Sequence, residues 1–425
     1  MLGLIFAVAS LGPGEFYVSG GRGASDANPG TRAAPWRTLQ HAADQAEPGD
    51  TVWVMNGEYR NPSPGTPVCQ ITKAGREDAW IRFRAAQDQQ PQVRFDGWAG
   101  FQVLGPAAYI EIRGFTITGA NDSIAFGDLF LEDPDPTNPR TNGIGISIDG
   151  RKDAVKPHHI TIAQNIVRKA GAGIAAVAAD YLTIEENVVA ENAWYSAYAG
   201  SGIAVVRPAD VDKNEGLKIV IRRNLCVENR CEVPWTVSGK VTDGNGIVLE
   251  SFVTRLPNGK LAGYQGQTRV ENNICLRNGG AGIRALRAAN VEIVNNTSVL
   301  NNQSPELDWG QISAKRSDNV AIHNNILVAR PGRKVNDEED NVDLEIGYNL
   351  YFGSNRILFT GRGDKIGDPQ LGIDVAGDSR LRAYTPRFAS PAVDAGTSVR
   401  AATVDFSGRK RPIGKGVDIG AIEVR

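Results

Sequence analysis

Residues 160–167 read ITIAQNIV, and the same text returns six times: LTIEENVV at 182–189, IVIRRNLC at 219–226, TRVENNIC at 268–275, VEIVNNTS at 291–298, VAIHNNIL at 320–327 and LEIGYNLY at 344–351. In each, an aliphatic residue (Ile162, Ile184, Ile221, Val270, Ile293, Ile322, Ile346) stands three positions before an asparagine (Asn165, Asn187, Asn224, Asn273, Asn296, Asn325, Asn349). The unit is a strand, a polar corner, an asparagine and a second strand. Three of the six intervals between successive asparagines are 22, 23 and 24 residues; the others are longer. A fixed period carrying one supersecondary unit marks a solenoid. Asparagine tolerates the left-handed backbone of a sharp corner, and stacked asparagines can hydrogen-bond along a column.

A second column supports the repeat. Gly173-Ile174, Gly202-Ile203, Gly246-Ile247, Gly282-Ile283 and Gln311-Ile312 each open a short apolar strand. Every coil therefore holds at least two strands joined by short turns. No window here has the 3.6-residue periodicity of an amphipathic helix, so helical and leucine-rich repeats fit poorly. The expected fold is all-β, a right-handed parallel β-helix. A length of 425 residues suggests two or three domains in a globular chain, but a solenoid escapes that prior because each coil buries its face on its neighbours. We expect one β-helix domain over 15–425, with a cap at 15–60, coils over about 76–352 and a closing segment at 353–425.

The net charge of −2 and the lack of any run of like charge point away from nucleic acid. The apolar stretch 1–12, MLGLIFAVASLG, is too short to span a bilayer. It reads as a leader remnant within 1–14, giving the expectation of a secreted or periplasmic monomer with no membrane partner. Cys226 and Cys275 occupy equivalent positions two residues after ladder asparagines, so they should stack in adjacent coils as small core residues; pairing of Cys226 with Cys231 is the alternative.

The N-terminal text contains YVSGGRGASDANPGT, PWRTLQHAADQAEPGDTVWV and GEYR, a strand, a turn, a short helix (Trp36 to Ala46) and a second strand. The helix would cap the open end of the solenoid. This segment resembles that of secreted parallel β-helix carbohydrate-active proteins of the pectate-lyase-like superfold, chondroitinase- and alginate-lyase-like enzymes among them. The resemblance implies a polysaccharide or oligosaccharide partner, but only at fold level. The coils lack the Asp-Asp-Gly pair, the Asn-Gly-Glu run and the clustered aspartates of three familiar enzyme groups on this fold, so no family's catalytic residues transfer.

Long corner loops are where a solenoid can place chemistry. The inflated corners are 189–200, 206–216, 227–243, 252–267 and 301–310. Trp194, Trp235 and Trp309 precede strands of the glycine–isoleucine column, with Tyr195 and Tyr198 beside the first; such rings can stack on sugar faces. With the aligned isoleucines inward, one outward column reads Ala175, Ala204, Val248, Arg284, Ser313 and the other Val177, Val206, Glu250, Leu286, Lys315. Asp243 and Asn245 lead into the Glu250 strand, Asp308 takes the Asp243 position two coils later, and Arg287 stands at the next turn.

These residues suit a lyase on a uronate polymer, with Lys315 as base and Arg284 and Arg287 binding the sugar carboxylate. Asp243, Glu250 and Asp308 are then candidate ligands for Ca²⁺. They also suit a glycoside hydrolase using a carboxylate pair drawn from Asp243, Glu250 and Asp308. A third reading is a non-catalytic carbohydrate-binding or adhesion β-helix, in which the charges form a cross-coil salt-bridge ladder of small energetic worth. Glu271 is expected at the surface beside Arg222, and His158, His159 and His323 in solvated or capping roles.

Overall fold

A computed structural model describes residues 14–124, 134–257, 261–372 and 384–424; the apolar segment at the start lies outside them. Three parallel sheets of 11, 9 and 11 strands wrap into a right-handed parallel β-helix, and one small antiparallel pair lies outside it. One coil runs through Ile144–Asp149, His158–Ala163 and Ile166–Arg168 before Ala172–Val177 begins the next. The faces are called first (His158–Ala163), third (Ile166–Arg168) and second (Ala172–Val177).

The isoleucine column predicted from sequence is the core of the second face. Ile146, Ile174, Ile203, Ile247, Ile283 and Ile312 are in register and almost wholly buried. Fully burying each such side chain favours folding by about 1.5–3 kcal/mol, and a column of them fixes the coil register. Cys226 and Cys275 are neighbours in this interior, and all four cysteines are free, Cys231 included.

The asparagine column is a continuous ladder. Each Nδ2 donates to the next asparagine's Oδ1, from Asn165 through Asn187, Asn224, Asn273, Asn296 and Asn325 to Asn349, which passes to Asp364. The second Nδ2 hydrogen goes to a backbone carbonyl one coil back, such as Asn187 to Ile162 at 2.9 Å. These amides are buried without an unsatisfied group, which is what burial of a polar side chain requires. The left-handed residue at this corner is not the ladder asparagine but the one before it: Gln164, Glu186, Arg223, Asn272, Asn295, Asn324 and Tyr348 all have φ between 53° and 58°. The asparagine is kept for its hydrogen bonds.

A second ladder, not anticipated from sequence, closes the next corner. Asn192, Asn229, Asn278 and Asn301 bond in sequence and end on Gln311 Oε1. Each lies five residues after an asparagine of the first ladder.

The cap helix is Leu39–Gln45, shorter than expected; Thr38 caps it through His41 N, and Leu39, Ala42 and Ala43 are buried against the solenoid. The C-terminal segment does more than close the last coil. It doubles back along the outside of the third face, burying Tyr384, Ala392, Ile419, Ala421 and Ile422 against Leu225, Ile274, Val299 and Leu350. A buried Arg411–Glu423 pair at 2.5 Å fastens it.

Glu271 is buried beside Arg269, and Arg222 pairs instead with Glu185. His159 is stacked between Tyr109 and Tyr181 in an aromatic column. His323 is buried and faces Glu345 at 3.3 Å. The histidines therefore pack rather than project into solvent.

Candidate functional site

The second face is flanked by the two sets of long loops. One set enters from the third face and carries Trp194, Trp235 and Trp309; the other leaves toward the first face at 207–216, 251–257 and 261–266. The backbone register aligns Val248, Arg284, Ser313 and Asp337 in one outward column and Glu250, Leu286, Lys315 and Glu339 in the other. Parallel strands about 4.8 Å apart bring these charges within four coils.

Arg284 is the centre of the arrangement. Its guanidinium carbon lies 3.7 Å from the centroid of the Trp309 ring, and its Nη1 is 3.9 Å from Asp243 Oδ1. The side chain is only 10 % exposed, and among the described residues its Nε–H has no acceptor. Burial lowers the pKa of this guanidinium, while the charges of Asp243, Glu250 and Asp337 oppose that shift. A buried cation with an unused donor is expensive unless something supplies the missing oxygen.

Asp243 stands beside it in a left-handed conformation, φ 65°. Burial raises its pKa from 3.8 to about 6; Arg284 works against the rise and Glu250 adds to it. Its Oδ1 accepts from Asn245 Nδ2 at 3.0 Å. The Asn245 side chain is itself wholly buried, with its Nδ2 near Ser201 Oγ and its Oδ1 accepting from Ala281 N. Asn245 therefore positions Asp243 and is not exposed to substrate, contrary to its expected binding role.

The remaining candidates divide. Glu250 accepts from Arg287 Nη2 at 2.9 Å, and the same nitrogen reaches Ser251 Oγ. Lys315 does not present a free amine: its ammonium lies 3.2 Å from Asp337 and 3.1 Å from Glu339, two carboxylates that the sequence reading had not placed here. Asp337 is almost fully buried and also holds Lys334 at 3.1 Å. Asp308 leaves the cluster altogether, because Arg356 takes its carboxylate through two bonds of 2.8 and 2.9 Å. Asp243, Glu250 and Asp308 thus do not form the expected cation site, and among the described residues no three histidine, cysteine or acidic side chains gather to hold a metal ion.

Of the aromatic residues, Trp309 is brought onto the ionic cluster. Trp194 Nε1 donates to the Glu228 carbonyl and its ring meets Tyr195 edge-on, fixing one loop on the next. Trp235 turns a small hairpin with Lys240. Tyr198 is 52 % exposed, with its hydroxyl donating to the Pro136 carbonyl.

The opposite wall rests on a second ionic cluster. Lys218, with no exposed side-chain surface, contacts Asp180 at 3.0 Å, Asp210 at 3.3 Å and Asp212 at 2.9 Å. Tyr264 donates to Asp180 at 2.8 Å and Tyr181 to Asp212 at 2.8 Å. Bonds from Lys218 and Tyr181 hold the Asp212 carboxyl down at about 2. Burial disfavours the Lys218 charge, yet Asp212 and Asp180 hold its pKa above the usual lysine range. This knot ties the 207–216 loop and the segment around Tyr264 to the barrel.

Comparison with known proteins agrees with the architecture. Residues 16–154 match a family described as Pel9A-like, right-handed β-helix region. An uncharacterized protein of Bacillus subtilis (strain 168), YwoF, is 27 % identical over 152 residues, which are 35 % of this chain and 29 % of that protein. The match thus spans less than a third of the relative's length. The crystal structure of pectate lyase Pel9A superposes over 98 % of both chains with a TM-score of 0.57 and 15 % sequence identity. The chain has the right-handed parallel β-helix fold.

Proposed function

We propose that this protein is a polysaccharide-cleaving enzyme, a lyase that opens a uronate-containing chain by β-elimination in the groove over the second face. The observation that carries this reading is the Asp243–Arg284–Trp309 constellation: a buried guanidinium with an unused N–H, stacked on an indole, beside a carboxyl whose pKa is about 6. A uronate carboxylate would supply the acceptor that Arg284 lacks, and Trp309 would lie beside the sugar. Neutralising that carboxylate acidifies the adjacent C5–H. The Asp243 carboxylate then takes the C5 proton, a C4–C5 double bond forms, the C4–O4 bond breaks, and the departing oxygen takes a proton from water. This moves the role of base from Lys315 to Asp243. We further propose that the protein acts as an exported, single-unit monomer. In the described residues no helix is long and apolar enough to cross a membrane.

A hydrolase is the second reading, and it rests on the same raised pKa. A protonated Asp243 could donate to a glycosidic oxygen, with Glu250 on the same face as the partner carboxylate. The two readings need opposite protonation states of one residue. Elimination should rise as pH increases through about 6, and hydrolysis should fall.

The test is an ultraviolet absorbance time course on pectate, alginate, chondroitin and other uronans, with reducing ends followed in parallel. Arms with calcium and with chelator would report on a cation supplied by substrate or solvent. Absorbance rising with reducing ends supports elimination. Reducing ends without absorbance move the assignment to hydrolysis, and silence on acidic and neutral glycans alike leaves a binding protein.

A further inference from the structure

We infer a second carbohydrate-binding site on the first face, at the capped end of the solenoid and distant in sequence from the groove residues. Strand Glu15–Val18 pairs in parallel with Thr51–Val54, and the register sets Tyr17 beside Trp53. Val18, Val52 and Val54 are fully buried, so the alternation turns Tyr17 and Trp53 outward. The two strands are about 4.8 Å apart, and both side chains line one depression, without ring-to-ring contact, as its aromatic floor. The row ends there. The next residue in register is Arg84, which turns to Glu111 at 2.5 Å.

This floor lies in a cavity of about 400 Å³ that Glu15, Arg32, Gln87 and Asp88 also line. That volume is at the small end of the range for small-molecule sites and suits two sugar rings. With no other described residue do the Trp53 Nε1–H, the Tyr17 hydroxyl or the Arg32 guanidinium make a hydrogen bond or ion pair. An aromatic platform edged by unused donors is how a protein holds a sugar ring, with C–H surface on the ring face and hydroxyls on the donors.

Packing alone would explain a buried aromatic pair. It does not explain a pair left at the bottom of a depression with its polar atoms open. The charge of the walls narrows the ligand. Glu15 and Asp88 outnumber Arg32, so a polyanion is not favoured here, in contrast to the Arg284 groove. The ligand class is a neutral oligosaccharide, two to three units long. The inference does not depend on which chemistry, if any, the groove performs.

The experiment is calorimetry and saturation-transfer NMR on the full chain with xylotriose, cellotriose and β-1,4-galactotriose, and with a triuronate as the charged comparison. At least one neutral trisaccharide should bind better than the triuronate. Trp53→Ala should weaken that binding roughly tenfold, and Trp309→Ala should leave it unchanged. Arg32→Ala, at an exposed position, should weaken it about threefold with no effect on folding. Three results would each overturn the site: no neutral trisaccharide binds, binding survives Trp53→Ala and Arg32→Ala, or binding is lost in Trp309→Ala and so belongs to the groove.

Discussion

Two ionic clusters flank the same face, and they differ in completeness. Around Lys218, each charge has a partner: three carboxylates meet one ammonium, and two tyrosine hydroxyls fill further acceptor positions. Around Arg284 the accounts do not close. Among the described residues one guanidinium N–H has no acceptor, the nearest carboxylate is 3.9 Å away, and that carboxyl belongs to Asp243, whose backbone is αL and whose pKa is raised. A satisfied buried network rigidifies a fold, whereas an unsatisfied one keeps a donor open to solvent or ligand. The first cluster holds a wall; the second faces the space that wall encloses.

The sharpest way to break this contrast is to remove one charge from each. Lys218→Met should strand its carboxylates and destabilise the protein by about 3–5 kcal/mol, seen as a lower melting temperature and easier proteolysis in the 207–216 loop. Arg284→Ala should do the reverse, lowering turnover by about 10²–10³ with little change in melting. If Arg284→Ala melts as Lys218→Met does, both clusters are scaffold and the proposed function falls.

Asp243 gives a sharper test, because its stability effect and its activity effect have opposite signs. Its folded pKa, about 6, lies above the ordinary 3.8, so the folded state disfavours the charged form. The penalty is absent below pH 4, grows between pH 4 and 6, and is complete above 6, at a size on the order of 3 kcal/mol. Asp243→Asn should therefore be more stable than the parent at pH 7.5, equally stable at pH 4, and inactive at both. Melting temperatures across that range would check it; a parent protein whose stability does not fall between pH 4 and 6 would contradict the burial argument.

The smallest expected effect concerns the ladders. Asn229→Ala leaves the amide of Asn192 and the backbone carbonyl of Val189 without their partner, and should cost about 1–3 kcal/mol. Asn224→Ala in the first ladder should cost the same within error. Chemical denaturation of the two variants would show whether one corner is the weaker.

The solenoid was legible because its determinants are local and repeated. The isoleucine and asparagine columns read out the coil register, and that register placed Glu250, Arg284 and Lys315 on one face. The second ladder keeps a constant offset of five residues from the first, but its asparagines sit in loop-like text with no strand pattern beside them to mark a column. What a sequence does not carry is which charges meet across unequal loops. Asp337 lies in a strand that reads NDEE, with no apolar residue to announce it, yet its carboxylate takes up Lys315. Arg356 removes Asp308 from 48 residues away. Arg284 could be placed on a face by alternation, but its lack of a partner is a property of the whole neighbourhood.

The ladders have a consequence for how such a molecule can grow. Each asparagine presents the same amide above and the same carbonyl oxygen below, so one rung is interchangeable with another. A complete coil carrying both asparagines can be duplicated or excised without leaving an orphaned amide, lengthening or shortening the groove by about 4.8 Å. The termini are the fixed parts: the Phe115 N–H donates to Asn165 at one end, and the Asp364 carboxylate receives the last amide at the other. Between those two stops, coil number is a modular variable, open to engineering by whole-coil grafts.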